Sequence, residues 1–186
     1  MPGKYYLYIP FDTERVTQLY DNGRQWRENR LAYRLDNPDR KTPALIRHGI
    51  HKISEKIHEL PDEYTLYILA HCNKTIISNT NNIFSRERET LSPAALASRL
   101  MADGLPKNIV NLKIFACNSG VSAENARHSF GKLLYYALVT RGYDNLCLSG
   151  YRSPLKAATV DPATGHKRTA TDARPSTVRV QWPPRF

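Results

Sequence analysis

Residues 64–71 read YTLYILAH and residues 112–117 read LKIFAC. Each is a short run of apolar, aromatic and β-branched residues that stops on a reactive side chain, His71 in one case and Cys117 in the other. Runs of this length and content are buried strands. Tyr5 to Phe11 is a third such run, followed by Asp12, and Leu146 to Ser149 reads as a fourth. Helical signals alternate with them. Thr42 as N-cap and Pro43 in the first turn open a helix carrying Ile46, Ile50, Ile53 and Ile57, closed by Pro61. Ser92 and Pro93 open a second helix, with Leu96, Leu100 and Met101, stopped by Gly104. Ser129 to Arg141 is a third, with Phe130, Leu133, Leu134, Ala137 and Leu138 on one face and Gly142 as its C-cap. Strands alternating with helices specify an α/β fold, a mainly parallel sheet with helices on both faces.

Outward from this core the pattern thins. Within the stretch from Thr13 to Pro38, Leu31 to Leu35 reads as a further strand. From Tyr151 onward the pieces are short, polar and β-branched, with a turn at Ala163 to Gly165: a β-hairpin, then a last strand near Val178 to Trp182. With 186 residues the chain suits one domain, residues 1–186, with a sizeable core. Hydrophobic residues at 41% and charged residues at 24% exclude wholesale disorder and fibrous architecture. No run reaches the roughly 18 apolar residues of a membrane span, and the start lacks the apolar stretch of a signal peptide. Three cysteines, Cys72, Cys117 and Cys147, are too few and odd in number for a disulfide framework, which points to a reducing compartment. The net charge of +10 makes a polyanion a natural partner. Nucleic acid is not the one expected, because no recognition motif accompanies the charge.

In a parallel sheet the C-terminal strand ends share one edge, where open α/β folds bind ligands. Asp12, His71 and Cys117 all fall there. A thiol needs a neighbouring base or cation to become a nucleophile, and a histidine on an adjacent strand end supplies one. Asp12 can orient the imidazole. The plainer alternative stays open from strand ends alone: a cysteine in that position is an ordinary small hydrophobe. No C-x-x-C pair accompanies Cys72, Cys117 and His71, so no metal site is expected. Cys147, inside an apolar run, reads as core.

The ordered set Tyr64 to His71, the Leu91-Ser-Pro-Ala-Ala-Leu-Ala helix start, Leu112 to Asn118, Phe130-Gly-Lys-Leu-Leu and Gly165-His-Lys-Arg-Thr169 resembles the autoprocessing cysteine protease domain of large clostridial glucosylating toxins and MARTX toxins. The likeness runs over roughly residues 60–170, with a looser match at Tyr5 to Asp12. It implies a caspase-like (clan CD) three-layer sandwich with a C-terminal β-hairpin. Cys117 would be the nucleophile, His71 the general base or proton donor, and Asp12 the residue that orients the histidine. The backbone N–H groups of Cys117 and Cys72 would hold the oxyanion. The family has glycine after the histidine, and this chain has Cys72.

Family members cleave after leucine and are switched on by inositol hexakisphosphate, so a protein substrate and that activator are the partners implied. Residues 151–186 carry seven Lys and Arg against two Asp. Arg152, Lys167 and Arg168 fall where the family's activator-binding residues lie, and Lys156, Arg174 and Arg179 are near enough in sequence to join them. Any one of these is equally an ordinary solvated charge. The functional expectation is a cysteine endopeptidase, a secreted bacterial effector or toxin component acting in a host cytosol. Met1 almost abuts the first strand, so if the chain is complete it would act in trans, or not on itself at that junction. The alternative is an inactive relative that serves as an inositol-phosphate-binding module.

Overall fold

A computed structural model describes residues 4–12, 17–36, 44–47, 64–160 and 167–184. At its centre is a six-stranded sheet in the order β11-β8-β7-β3-β1-β2. These strands are β1 (Lys4–Ile9), β2 (Ala44–Arg47), β3 (Tyr64–Leu69), β7 (Asn111–Phe115), β8 (Cys147–Tyr151) and β11 (Arg179–Trp182). All neighbours pair in parallel except β11, which runs antiparallel to β8 and forms one edge. The fold is thus mixed α/β with a mainly parallel sheet. β1 stops at Ile9 because the next residue is Pro10, which has no N–H for a ladder.

Register sorts the side chains onto two faces. Tyr8 lies opposite Ile68 and Ile68 opposite Ile114, while Leu66, Leu112, Leu148 and Trp182 form the adjacent row on the same face. That face packs against α2 (Pro93–Ala102) and α3 (Phe130–Val139), which bury Leu96, Leu100, Phe130, Leu134 and Leu138. Ser92 Oγ accepts from Ala95 N at 3.2 Å and Ser129 Oγ from Lys132 N at 3.3 Å, so both helices begin at the expected caps. The closest approach is at Gly131, where a Cβ would stand 2.6 Å from the Trp182 ring.

The opposite face carries Tyr67, Lys113, Phe115, Ser149 and Tyr151 and meets α1 (Gln18–Asp36). Trp26 of α1 packs on Phe115 at 4.9 Å and on Tyr67 at 5.4 Å between ring centroids. Two expectations are corrected here. Leu31 to Leu35 is helical, not a strand, and Leu31 is exposed. The helix is hard to read because, among the described side chains, its buried positions are Leu19, Gly23 and Trp26, set in a largely polar sequence. Secondly, Ala44–Arg47 is a parallel strand beside β1, where a helix opening at Thr42 was expected. Since α1 already supplies the β-α-β crossover, the next apolar run is free to pair with β1; Ile46 lies opposite Tyr8. Thr42, Pro43, Ile50, Ile53, Ile57 and Pro61 lie outside the described residues.

A small antiparallel sheet, β4 (His71–Cys72), β5 (Ile77–Ser78) and β6 (Thr90–Leu91), follows β3 where the sequence suggested only a loop. The C-terminal hairpin is present as β9 (Leu155–Val160) against β10 (Lys167–Thr169), and β9 packs on α1. Its turn, Ala163 to Gly165, lies outside the described residues. Among the described residues no helix is long and apolar enough to cross a membrane.

Candidate active site

The last register pair between β3 and β7 is Leu69 with Phe115. His71 and Cys117 each stand two residues beyond it, so the topology carries both to the same edge at equivalent steps. Both line one cleft of about 90 Å³, walled by Leu19, Leu69, Phe115 and Leu155, with Asn22, Asn81 and Lys156 also on its lining. Asp12, three residues past the end of β1, is exposed at the same edge.

The imidazole is held from α1. His71 Nε2 lies 3.2 Å from Gln18 Oε1, and with the amide in this orientation Nε2 donates, leaving Nδ1 as the basic nitrogen. Burial pushes the His71 pKa below the ordinary 6.5, because imidazolium loses hydration in the cleft. The neutral ring needed of a base is therefore the resting form at neutral pH. Gln18 had no sequence signal of its own: its role depends on a helix that the sequence did not reveal.

Cys117 Sγ is held by the first residue of β9. Leu155 N–H donates to the sulfur at 3.3 Å, and the thiol lies 3.7 Å from the Leu155 carbonyl oxygen. Asn118 follows in the left-handed region, φ 54°, turning the chain sharply after the cysteine. Its N–H bonds to Ser153 O at 3.4 Å, and Gly120 N–H bonds to Tyr151 O at 2.8 Å, so residues 117–120 are stitched to the start of the hairpin segment.

Cys72 is a second thiol at this edge. Burial, opposed by a backbone N–H bond from Lys74 and reinforced by the nearby Cys117, pushes its thiol up to about 12. It stays protonated at neutral pH and is a poor nucleophile. Its backbone is unstrained: Cys72 lies in an extended strand, and the positive φ in this turn falls on Lys74, at 81°. Asn73 N–H bonds to Ile76 O, making that a hydrogen-bonded pair. By the alternation of an antiparallel ladder, the next pair, Cys72 with Ile77, is not hydrogen-bonded, and the Cys72 N–H points away from β5. The amide is thus oriented out of its own hairpin.

The basic residues separate into two groups. Lys156 lines the Cys117 cleft and pairs with Asp172 at 2.5 Å, while Arg168 donates to the Asp172 carbonyl at 3.0 Å. Arg152 is exposed, and the Lys167 side chain lies outside the described residues. Arg174 and Arg179 instead line a second cavity of about 200 Å³ together with Lys113, Tyr67 and Tyr151. Burial, with Tyr67 adding to it and Arg179 opposing it, raises the Tyr151 pKa well above the usual phenol value, so it remains a hydrogen-bond donor. Lys113 Nζ sits 3.4 Å from Tyr67 OH. Lys113, Tyr67 and Tyr151 were missed in the sequence because they lie inside strands, and only the register shows that they share a face with Arg179.

Cys147 is half-buried and accepts from Gln181 Nε2 at 2.7 Å. Among the described residues no group of three or more His, Cys, Asp and Glu is placed to hold a metal. Comparison with protein-family models gives no match, and comparison with curated proteins gives none either.

Proposed function

We propose that the chain is a cysteine endopeptidase of caspase-like architecture, cleaving after leucine and activated by inositol hexakisphosphate. The observation that carries this reading is the shared cleft of Cys117 and His71, reached from equivalent positions on neighbouring parallel strands. In the reaction, Cys117 Sγ attacks the carbonyl carbon of a leucine whose side chain rests on Leu19, Leu69, Phe115 and Leu155. His71 takes the thiol proton and returns it to the departing amine; water then hydrolyses the thioester. The N–H groups of Cys117 and Cys72 hold the oxyanion, and Gln18, which accepts from His71 Nε2–H, orients the imidazole, with Asp12 at the same edge of the sheet.

The cavity of Lys113, Arg174 and Arg179 is the activator site in this reading. Three cations and two phenol donors around one opening suit a polyphosphate, since each phosphate contact is a charge-assisted hydrogen bond. Tyr151 lines that cavity and Leu155, four residues on, holds the Cys117 sulfur. A ligand that draws on Tyr151 therefore pulls on the strand that positions the nucleophile. The setting implied is an effector or toxin component entering a eukaryotic cytosol, where the activator is found.

Cys72 favours a second reading, an inactive module that keeps only the inositol-phosphate site, because its side chain stands close to Cys117 where the family has none. A cysteine-directed alkylating probe separates the two. Labelling of Cys117, located by peptide mass mapping, should rise severalfold with inositol hexakisphosphate. Equal labelling with and without it, together with no cleavage of any leucine-containing peptide, would overturn the enzyme reading and leave the module.

A further inference from the structure

The loop between β5 and β6 displays two large apolar side chains to solvent, Ile83 at 64% and Phe84 at 87% exposure. Such a pair is costly to leave in water, and it does not sit on a floppy segment. The Asn79 side chain spans the base of the loop, donating to Glu87 O and accepting from Glu89 N, both at 2.9 Å. At the tip, Phe84 N–H donates to Asn82 Oδ1 at 3.0 Å, and Ser85 N–H to Asn82 O at 3.2 Å. The far foot is tied down by Arg99, which bonds both Glu89 at 2.5 Å and the Pro10 carbonyl at 2.6 Å. Much of the loop's backbone is therefore tied internally, and what its tip offers a partner is side-chain surface. Asn81, two residues before Ile83, lines the Cys117–His71 cleft.

We propose that Ile83 and Phe84 form an auxiliary subsite that binds an apolar residue of the protein substrate, at a distance from the cleaved bond. The inference rests on the endopeptidase reading and deepens it. Its occupant follows from continuity: Asn81 lines the cleft in which the substrate lies, and Ile83 and Phe84 follow it directly along the chain. Three residues of chain separate Asn81 from Phe84, a reach of about 10 Å at most. An extended substrate advances roughly 3.3 Å per residue, so the residue that meets Phe84 lies no more than about three or four positions from the one beside Asn81. Because the loop is already ordered, binding costs little loop entropy, which suits a recognition surface.

The test uses internally quenched ten-residue peptides with a central leucine and either Phe or Ser three and four positions from it, on one side or the other. A short reporter on acetyl-leucine amide serves as the reference, and inositol hexakisphosphate is present throughout. The variant carries Ile83→Ser and Phe84→Ser together. For one of the Phe peptides its KM should rise about tenfold with kcat unchanged. The Ser peptides and the short reporter should be cleaved as by the wild type, which also shows that the variant is folded. Cleavage of the Phe peptides with unaltered KM would overturn the subsite while leaving the endopeptidase intact. Failure of the wild type to cleave any of these probes in a Cys117-dependent way would overturn the endopeptidase reading and the subsite with it.

Discussion

The Cys117–His71 cleft and the cavity beside Arg179 are built from the same sheet by different means. The cleft collects residues from strand ends, 46 positions apart in sequence, on an apolar wall of about 90 Å³. The basic cavity collects residues from strand faces: Lys113 from the middle of β7, Tyr67 from β3 and Tyr151 from β8, with Arg174 and Arg179 closing it. In the proposed reading one is a place to desolvate a reacting carbonyl, and the other, about 200 Å³ and lined by three cations, is a place to receive an anion. In that reading chemistry and control are separated by a few residues of one strand connection, Arg152 to Leu155.

The sharpest way to break this division is Cys117→Ala. Cleavage of leucine peptides should fall by about three orders of magnitude or more, while the thermal stabilisation given by inositol hexakisphosphate is retained. Loss of both together, in a protein whose circular dichroism is unchanged, would show that the two cavities are one site. Next in size is the reverse experiment, Lys113→Glu with Arg179→Glu. In the wild type, ligand at a hundredfold excess over its Kd stabilises by about 2.7 kcal/mol, a rise of roughly 5 °C or more in Tm for a chain of this length. The double variant should abolish that rise, and added salt should weaken it in the wild type. Lys156→Glu with Arg168→Glu should leave most of it in place, because both side chains are engaged near Asp172. If the second pair removes the shift and the first does not, the hairpin rather than the sheet face holds the ligand.

The smallest effect sharpens the chemistry of the cleft. Gln18→Leu removes one orienting hydrogen bond, about 1 kcal/mol, and should lower kcat about fivefold. Gln18→Glu is more informative. Burial holds the wild-type His71 below the ordinary pKa, so the neutral base persists to lower pH and the acid limb of kcat/KM should lie below 6.5. A carboxylate at position 18 favours imidazolium, raises the pKa and moves that limb to higher pH. A pH profile that is identical in the two proteins would mean that His71 is not the group that titrates in catalysis.

What the sequence disclosed follows the same division. His71 and Cys117 were legible because each ends an apolar run, and the parallel alternation of strands and helices carries all such ends to one edge. The caps Ser92 and Ser129 were legible as local signals. Gln18 was not, since α1 is a polar helix anchored through Leu19 and Trp26, and a weak periodicity cannot be told from a strand in a span such as Leu31 to Leu35. Lys113 looked like a polar interruption of a buried strand. Its meaning depends on alternation along β7 and on register with β3 and β8, which are long-range properties that no window of sequence contains. The basic tail was visible as charge, but charge alone did not say that Arg174 and Arg179 would part company from Lys156 and Arg168.

The two tryptophans of the chain stand on opposite faces of the sheet. Trp26 rests on Phe115 and Tyr67, whose rings reach toward the cleft and the basic cavity respectively; Trp182 is pressed against Gly131 of α3. The molecule thus carries a pair of intrinsic optical reporters with separate addresses. Emission from Trp26 is sensitive to what happens around Cys117 and the Lys113–Arg179 cavity, and emission from Trp182 follows the seating of α3 on the edge of the sheet. Replacing either indole with phenylalanine leaves a single-tryptophan protein, in which, with excitation confined to the indole band, ligand-induced change and loss of helix packing can be watched as separate signals without attaching a dye.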